Sequence, residues 1–344
     1  MSPPGRPKGE YRSAQREGSP VSPPGRPVGE HRSTRRHALA LVAALVLVGL
    51  APLLLKGYGI YLLTLWCVYL MATFGLNLTV GYAGQISLGQ AAFFGIGAYC
   101  VATLTVKLGL SFWAALPVAG LSCFIFGLVV GFPALRVQHH YLAFATLGFN
   151  VLVFLFLRNE EWLTGGTFGI SGIPRPSVLG YVLDKPLPFF YFTYASVILL
   201  AAAMAWLLRS PWGRAFAALR DNPIRAESTG VNITAYTLLA FALGATYAGI
   251  AGAYFAVLVN FIEPAPFHLS VSLTMLLAVI VGGAGRFYGP VLGTIVTVLL
   301  PEWLRFAQDW YLAVFGFAIV ALMVFLPGGL MSIPDRRRRG APAR

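Results

Sequence analysis

ALALVAALVLVGLAPLLL, residues 38–55, runs for eighteen residues without one charged side chain. A hydrocarbon core about 30 Å thick needs roughly 20 apolar residues for one helical crossing. A strand of a transmembrane barrel would instead alternate apolar and polar residues, and this run does not alternate. Runs like it recur along the chain. Of the 344 residues, 57% are hydrophobic and 11% charged, against about 25% charged in soluble domains, and mean hydropathy is +0.73. The fold class is an all-α polytopic membrane protein.

Apolar runs bounded by charge, Pro or Gly predict about ten transmembrane helices within 38–327: residues 38–55, 58–80, 83–106, 112–132, 141–157, 189–208, 236–259, 269–285, 288–304 and 311–327. An even number of crossings puts the N-terminus and the C-terminus on one side. With both termini cytoplasmic, 19 Lys and Arg residues fall inside, and Lys56, Lys107, Arg158, Arg175, Lys185 and Arg305 fall outside. That bias follows the positive-inside rule and accounts for the formal charge of +13 without nucleic acid. The one long outside connection, 158–188, is rich in Gly and Pro with balanced charge and reads as an ordered or semi-ordered cap rather than another span.

Residues 1–37 form a basic tail in which SPPGRPKGEYRS (2–13) returns as SPPGRPVGEHRS (22–33). Rich in Pro, Gly, Ser and Arg, it has too few apolar residues to bury a core and is expected to be a disordered cytoplasmic tail. Its length and the missing A-x-A site argue against a cleaved signal peptide. Residues 328–344, with RRRR at 336–339, form a second basic cytoplasmic tail.

No GxxxxGK[ST] loop, HExxH or GxSxG occurs. Cys67, Cys100 and Cys123 all lie in apolar runs and read as small packing residues. His139 and His140, beside Arg136, read as a solvated turn. The predicted spans carry essentially no Asp, Glu, Lys or Arg away from their ends, whereas proton-driven transporters keep intramembrane carboxylates as relays. Any energy for transport is expected to come from outside the chain.

Two patterns stand out within the spans. Gly244, Ala248, Gly252 and Ala256 form a four-residue stripe that lets helix backbones approach closely, and Gly285, Gly289 and Gly293 repeat it. GYAGQISLGQAAFFGIGAY, residues 81–99, mixes glycines with Gln85, Ser87 and Gln90 at membrane depth. Irregular backbone survives there only where protein or a watery cavity satisfies it, so this stretch is expected at the centre, beside the path. Asn77 and Asn150 are further amides within apolar spans.

Residues 209–233, RSPWGRAFAALRDNPIRAESTGVNI, are charge-dense between two oily stretches. Gly213 precedes a helix-favouring AFAALR, Asp221-Asn222-Pro223 breaks it, and IRAES resumes until Gly230. Such a helix could lie on anionic lipid or insert into a groove of a soluble partner. Asp221 and Glu227 among four arginines, with the small Ala215, Ala217 and Ala218, favour the groove.

GYAGQISLGQAAFFGIGAY, GRAFAALRDNPIRAESTGVN and GGAGRFYGPVLGT (282–294) together resemble the signature regions of the LivM-type permeases of branched-chain amino acid ABC importers, within the LivH/LivM family. The resemblance covers about 290 residues in order, with Gln90 standing where many members carry His. It implies that Arg214, Ala218, Arg220, Asp221, Asn222, Glu227 and Gly230 form the segment that couples to an ATPase. It also implies that Gly81, Gly84, Gln85, Ser87, Gly89 and Gln90, with Gly282, Gly283, Gly285, Gly289 and Pro290, lie at the translocation path or in helix packing. No catalytic, cofactor or metal residue is implied. ATP and Mg would belong to two ATP-binding partner subunits, alongside a second, LivH-like permease and a periplasmic or lipid-anchored solute-binding protein, in the inner membrane. Urea or short-amide importers of the same permease type remain an alternative, as does a secondary transporter or channel with a lipid-facing 209–233.

Overall fold

A chain crossing hydrocarbon must satisfy its own backbone hydrogen bonds, and helices do so within one segment. A computed structural model describes residues 45–134, 139–178, 180–303, 316 and 328–332 and is mostly helical. The chain divides into two units, Met1–Leu50 and Ala51–Arg344. The second unit contains α1 (Gly57–Leu76), α2 (Gln90–Val106), α3 (Phe112–Ala134), α4 (His139–Asn159), α5 (Pro186–Arg209), α6 (Pro211–Asp221), α7 (Pro223–Ser228), α8 (Ile233–Val259), α9 (Leu269–Gly282) and α10 (Gly289–Thr294).

Five segments among the described residues are long and apolar enough to cross a membrane: Gly57–Tyr82, Phe112–Pro133, Leu142–Asn159, Pro186–Arg209 and Ile233–Val259. Leu45–Leu54, Gln90–Val106, Leu269–Gly282 and Gly289–Glu302 are shorter apolar helices. The run expected over 83–106 is helical only from Gln90, because 83–89 is irregular. That expected over 269–285 stops at Gly282, where Gly283 takes φ +114°. The 288–304 stretch is interrupted by a π-turn at Ile295–Leu299. His139 and His140, expected in a turn, begin α4. Apart from Gly316, the span expected at 311–327 lies outside the described residues, as does the tail 1–37.

The core is built around α8, which packs on α1, α2 and α3. Its small residues set the spacing. Gly244, Ala248, Gly252 and Ala256 are all buried. A Cβ added to Gly252 would fall 2.9 Å from the Ala98 nitrogen of α2, and one added to Gly97 of α2 would fall 2.6 Å from the Gly249 carbonyl carbon. Backbone thus lies directly on backbone, the contact that small residues make possible between membrane helices. The Gly282–Gly293 region repeats it: a Cβ on Gly293 would fall 2.6 Å from the Ala278 carbonyl carbon of α9.

Connection 158–188, in its described residues, forms short regular elements rather than another span. It contains a turn of helix at Glu161–Thr164, a strand pair between Ser177–Val178 and Tyr181–Val182, and Ile170–Ser171 paired antiparallel with Phe261–Ile262 beyond α8. Lys107 at the end of α2 donates to the carbonyls of Trp162 and Leu163, and Trp113 Nε1 donates to the Ser177 carbonyl at 2.7 Å. The 24 residues of α5 cover about 36 Å at 1.5 Å each. This cap and the α6–α7 segment, joined by α5, therefore occupy opposite ends of the bundle.

Candidate functional site

The α6–α7 segment is made by one device used twice. Ser210 ends α5 and caps α6, its side chain accepting from the Trp212 amide at 3.2 Å, with Pro211 in the first helical position. Asn222 ends α6 and caps α7, its Oδ1 accepting from the Arg225 amide at 3.0 Å, with Pro223 in first position. Each cap satisfies an orphan amide, and each proline has no amide to lose there and forces extended backbone on the residue before it. α6 therefore begins at Pro211, and Gly213 lies inside it rather than ahead of it. α7 ends in a Schellman pattern: the Gly230 amide donates to Glu227 O and the Val231 amide to Ala226 O, with Gly230 at φ +86°. Asn232 then caps α8, accepting from the Ala235 amide at 3.0 Å.

This segment has two faces. Gly213, Ala215, Phe216, Leu219 and Ala226 are buried, and Phe216 meets Tyr236 of α8 edge to face at 6.1 Å. Arg214, Arg220, Asp221 and Glu227 are exposed, and Ala218 and Asn222 are half-buried. Two apolar residues share the outer face: Trp212 is 46% exposed and Ile224 79%. Sequence reasoning passed over both. Ile224 shows only as an apolar residue between the helix break and the charges of RAES.

Beneath the segment, the 77–90 stretch leaves the end of α1 and climbs back into the bundle. α1 passes into a π-turn, Asn77–Tyr82, and the chain reverses at Gly84, φ +71°. Glycine is required there because an L side chain disfavours that backbone conformation. The loop ends at Gln90, whose Nε2 donates to Ala72 O at 2.9 Å and Gly244 O at 3.3 Å. Gly244 lies about 17 Å into α8 at 1.5 Å per residue, so the loop spans about half the depth of the bundle. This is why α2 is short.

Buried irregular backbone needs partners, and hydroxyls supply them. Thr146 Oγ1 of α4 accepts from the Leu88 amide at 2.9 Å, Ser87 Oγ from Gly89, and Ser272 Oγ of α9 from the Ala91 amide at 2.8 Å. Asn150 Nδ2 also donates to Ser272 Oγ, at 2.9 Å, and its Oδ1 is buried without a partner. Gly81, Gln85, Ser87, Gly89 and Gln90 are buried. Thr146 and Ser272 had no distinguishing sequence signal, since single hydroxyls in apolar runs are common.

The third glycine stretch closes the site. Gly282, Gly283, Gly289 and Pro290 are buried at the α9–α10 turn, and Pro290 stands in the first turn of α10. Asn77 holds this turn from the π-turn side: its Oδ1 accepts from the Gly285 amide at 2.9 Å and its Nδ2 donates to Arg286 O at 3.1 Å. Arg286 in turn donates to the Met331 carbonyl. Arg220 reaches the same place. A Cβ on Gly84 would touch the Arg220 side chain at 3.8 Å, and one on Gly285, φ +74°, would strike the Arg220 guanidinium and the Gly81 carbonyl. Gly81, Gly84, Gly285 and Arg220 are thus brought together. Gln90 lies deeper, and Arg214 and Glu227 face outward.

A bundle of apolar helices of membrane-spanning length, with a capped, charge-bearing helical segment seated on irregular glycine-rich backbone, is the architecture of a polytopic helical membrane protein. The chain belongs to the family described as branched-chain amino acid transport system permease components, whose model matches residues 58–326. It is 34% identical over 266 residues to the high-affinity branched-chain amino acid transport system permease protein LivM of Salmonella typhimurium and, equally, to that of Escherichia coli, covering 71% of this chain and 63% of each relative. The chain therefore spans less than two thirds of the length of these LivM relatives. The autoinducer 2 import system permease protein LsrC of Escherichia coli is 27% identical over 248 residues, 67% of this chain and 68% of the relative. No solved structure matches.

Proposed function

We propose that this chain is the membrane-spanning subunit of an ATP-binding cassette importer that carries leucine, isoleucine and valine across the inner membrane. In this reading the described helices belong to a ten-span, multi-pass bundle with both basic termini cytoplasmic, and the α6–α7 segment lies on the cytoplasmic side. Two partner subunits bind ATP and Mg and hydrolyse the nucleotide, a LivH-like second permease completes the path, and a solute-binding protein, periplasmic or lipid-anchored, delivers the substrate at the cap side. Membrane lipid surrounds the assembly.

The observation that carries the reading is the two-faced segment. Its outer face offers Arg214, Arg225, Glu227, Trp212 and the 79% exposed Ile224 to a partner, and its inner face rests on the glycine-rich loops that reach Gln85 and Ser87. A helix that presents an apolar anchor among charges fits a protein groove. Closure of the ATP-binding pair would move the segment and shift the permease between inward-open and outward-open states, because the two states bind the closed pair with different free energies. The family description and the LivM names support branched-chain amino acids as the cargo.

The test is uptake by the reconstituted complex with each cargo class in turn. ATP-dependent uptake of leucine, isoleucine and valine that requires this subunit is expected. Uptake of urea in preference to leucine would move the substrate to the short amides. Accumulation driven by an ion gradient, with purified chain alone and no nucleotide, would overturn the mechanism.

A further inference from the structure

Arg220 stands on the same segment as the proposed docking residues and is exposed like them, yet its side chain lies against the glycine loops. It runs along Gly84, and its guanidinium occupies the space that a Cβ on Gly285 would need, beside the Gly81 carbonyl. Three segments far apart in sequence, the 77–90 stretch, α6 and the α9–α10 turn, therefore meet at one side chain.

The joint is unusually bare. A Cβ on Gly81 would fall 2.8 Å from Gly285 Cα, so the two loops touch through backbone. Asn77 bonds both sides of the turn, accepting from Gly285 and donating to Arg286 O. Among the described residues, the side chains at this contact are those of Arg220 and Asn77, and the rest of it is backbone. Close-packed backbone yields little and passes displacement on rather than absorbing it. The Gln85 amide donates to Thr79 O at 2.9 Å, which ties the start of the loop to the same π-turn.

The geometry points to Arg220 as a positioning residue that fastens the α6–α7 segment to both glycine loops, so that segment, loop 83–89 and turn 283–288 move as one body. A push on the segment then reaches Gln85 and Ser87 with no joint between. This inference rests on the reading of the segment as the part that an ATP-binding subunit moves. It separates two tasks within one segment: Trp212 and Ile224 receive the partner, and Arg220 hands the motion inward.

The test uses the full reconstituted complex with three readouts: assembly with the ATP-binding subunits, ATP hydrolysis, and uptake per ATP hydrolysed. Arg220→Ala is expected to assemble and hydrolyse ATP while uptake per ATP falls about tenfold, the order of a typical coupling free energy. Arg220→Lys, which keeps the charge but not the planar fork, is expected to fall between. Gly285→Ala, which displaces Arg220 and also crowds the Gly81 carbonyl, is expected to lower uptake per ATP at least as much as Arg220→Ala, and adding Arg220→Ala to it is expected to cost less than Arg220→Ala does alone, since the Arg220 contact is already lost. Loss of assembly in Arg220→Ala would make Arg220 a docking residue and overturn the inference, as would full coupling in that variant.

Should Gly285→Ala fail to fold, distances decide. Spin labels at Ser228→Cys and Ile86→Cys, both exposed, are expected to keep one separation with and without ATP. The distance from Ser228→Cys to Phe168→Cys on the cap is expected to change. A change in the first distance overturns the single-body inference. Failure of the unaltered chain to bind the ATP-binding subunits at all would instead strike the coupling reading itself.

Discussion

Gly252 and Gly285 are both positions where an added methyl group would collide with another part of the chain, but the obstacles differ. At Gly252 the obstacle is the backbone of α2 in the middle of the bundle, reached from a regular helix. At Gly285 it is the guanidinium of Arg220 together with one carbonyl, reached from a residue in left-handed conformation. Glycine in α8 brings two helices together and leaves them fixed. Glycine in the loops lets backbone turn and leaves room for a side chain from another helix. The same residue type thus marks both the close-packed centre of the molecule and the loops that the proposed mechanism would move.

The contrast can be broken most severely at the centre. Gly252→Val is expected to cost about 3 kcal/mol or more, because neither backbone can withdraw without unpacking α8 from α2. Thermal unfolding in detergent should show a large drop and folded yield should collapse; an unchanged melting point would mean that the helices are free to separate and that the α8 seam is not the fixed element. At the edge the expectation is reversed. Ile224→Asp should leave unfolding unchanged, since Ile224 is 79% exposed. It should weaken binding of the ATP-binding subunits by about 30-fold, the consequence of losing an anchor worth about 2 kcal/mol. Equal binding in a pull-down titration would remove Ile224 from the interface.

The smallest effect sharpens the comparison within the segment. Asn222→Ala removes the cap of α7 and should cost about 1 kcal/mol locally. Amide exchange at Arg225 should quicken while exchange in α8 stays the same, and Asn222→Asp should restore protection because a carboxylate caps as well. Faster exchange spreading into α8 would show that the segment and the core form one cooperative unit.

Much of the architecture is legible in the order of residues alone. Helical class follows from apolar runs that do not alternate. The Asn222-Pro223 break and Gly230 as a stop follow from local chemistry, because caps and turns depend on neighbours in sequence, whereas α6 starts at Pro211, ahead of the start after Gly213 that its sequence predicts. The short α2 was not legible: apolar composition over 83–106 is the same for a full crossing as for a half-depth loop followed by a helix, and hydroxyls of α4 and α9 decide between them. Ile224 escaped notice because exposure is a property of the fold.

By itself, the sequence determined that this chain lives in a membrane as helices, where its helices must be capped, and which glycine-rich stretches depart from regular structure, since each depends on solvent preference or on hydrogen bonds a few residues apart. Only the tertiary structure decided that Gly81, Gly84, Gly285, Asn77 and Arg220 share one place. Asn77 and Gly285 are 208 residues apart, and no local rule relates them. Asn77, which bonds the Gly285 amide and the Arg286 carbonyl, is what holds the two loops together there.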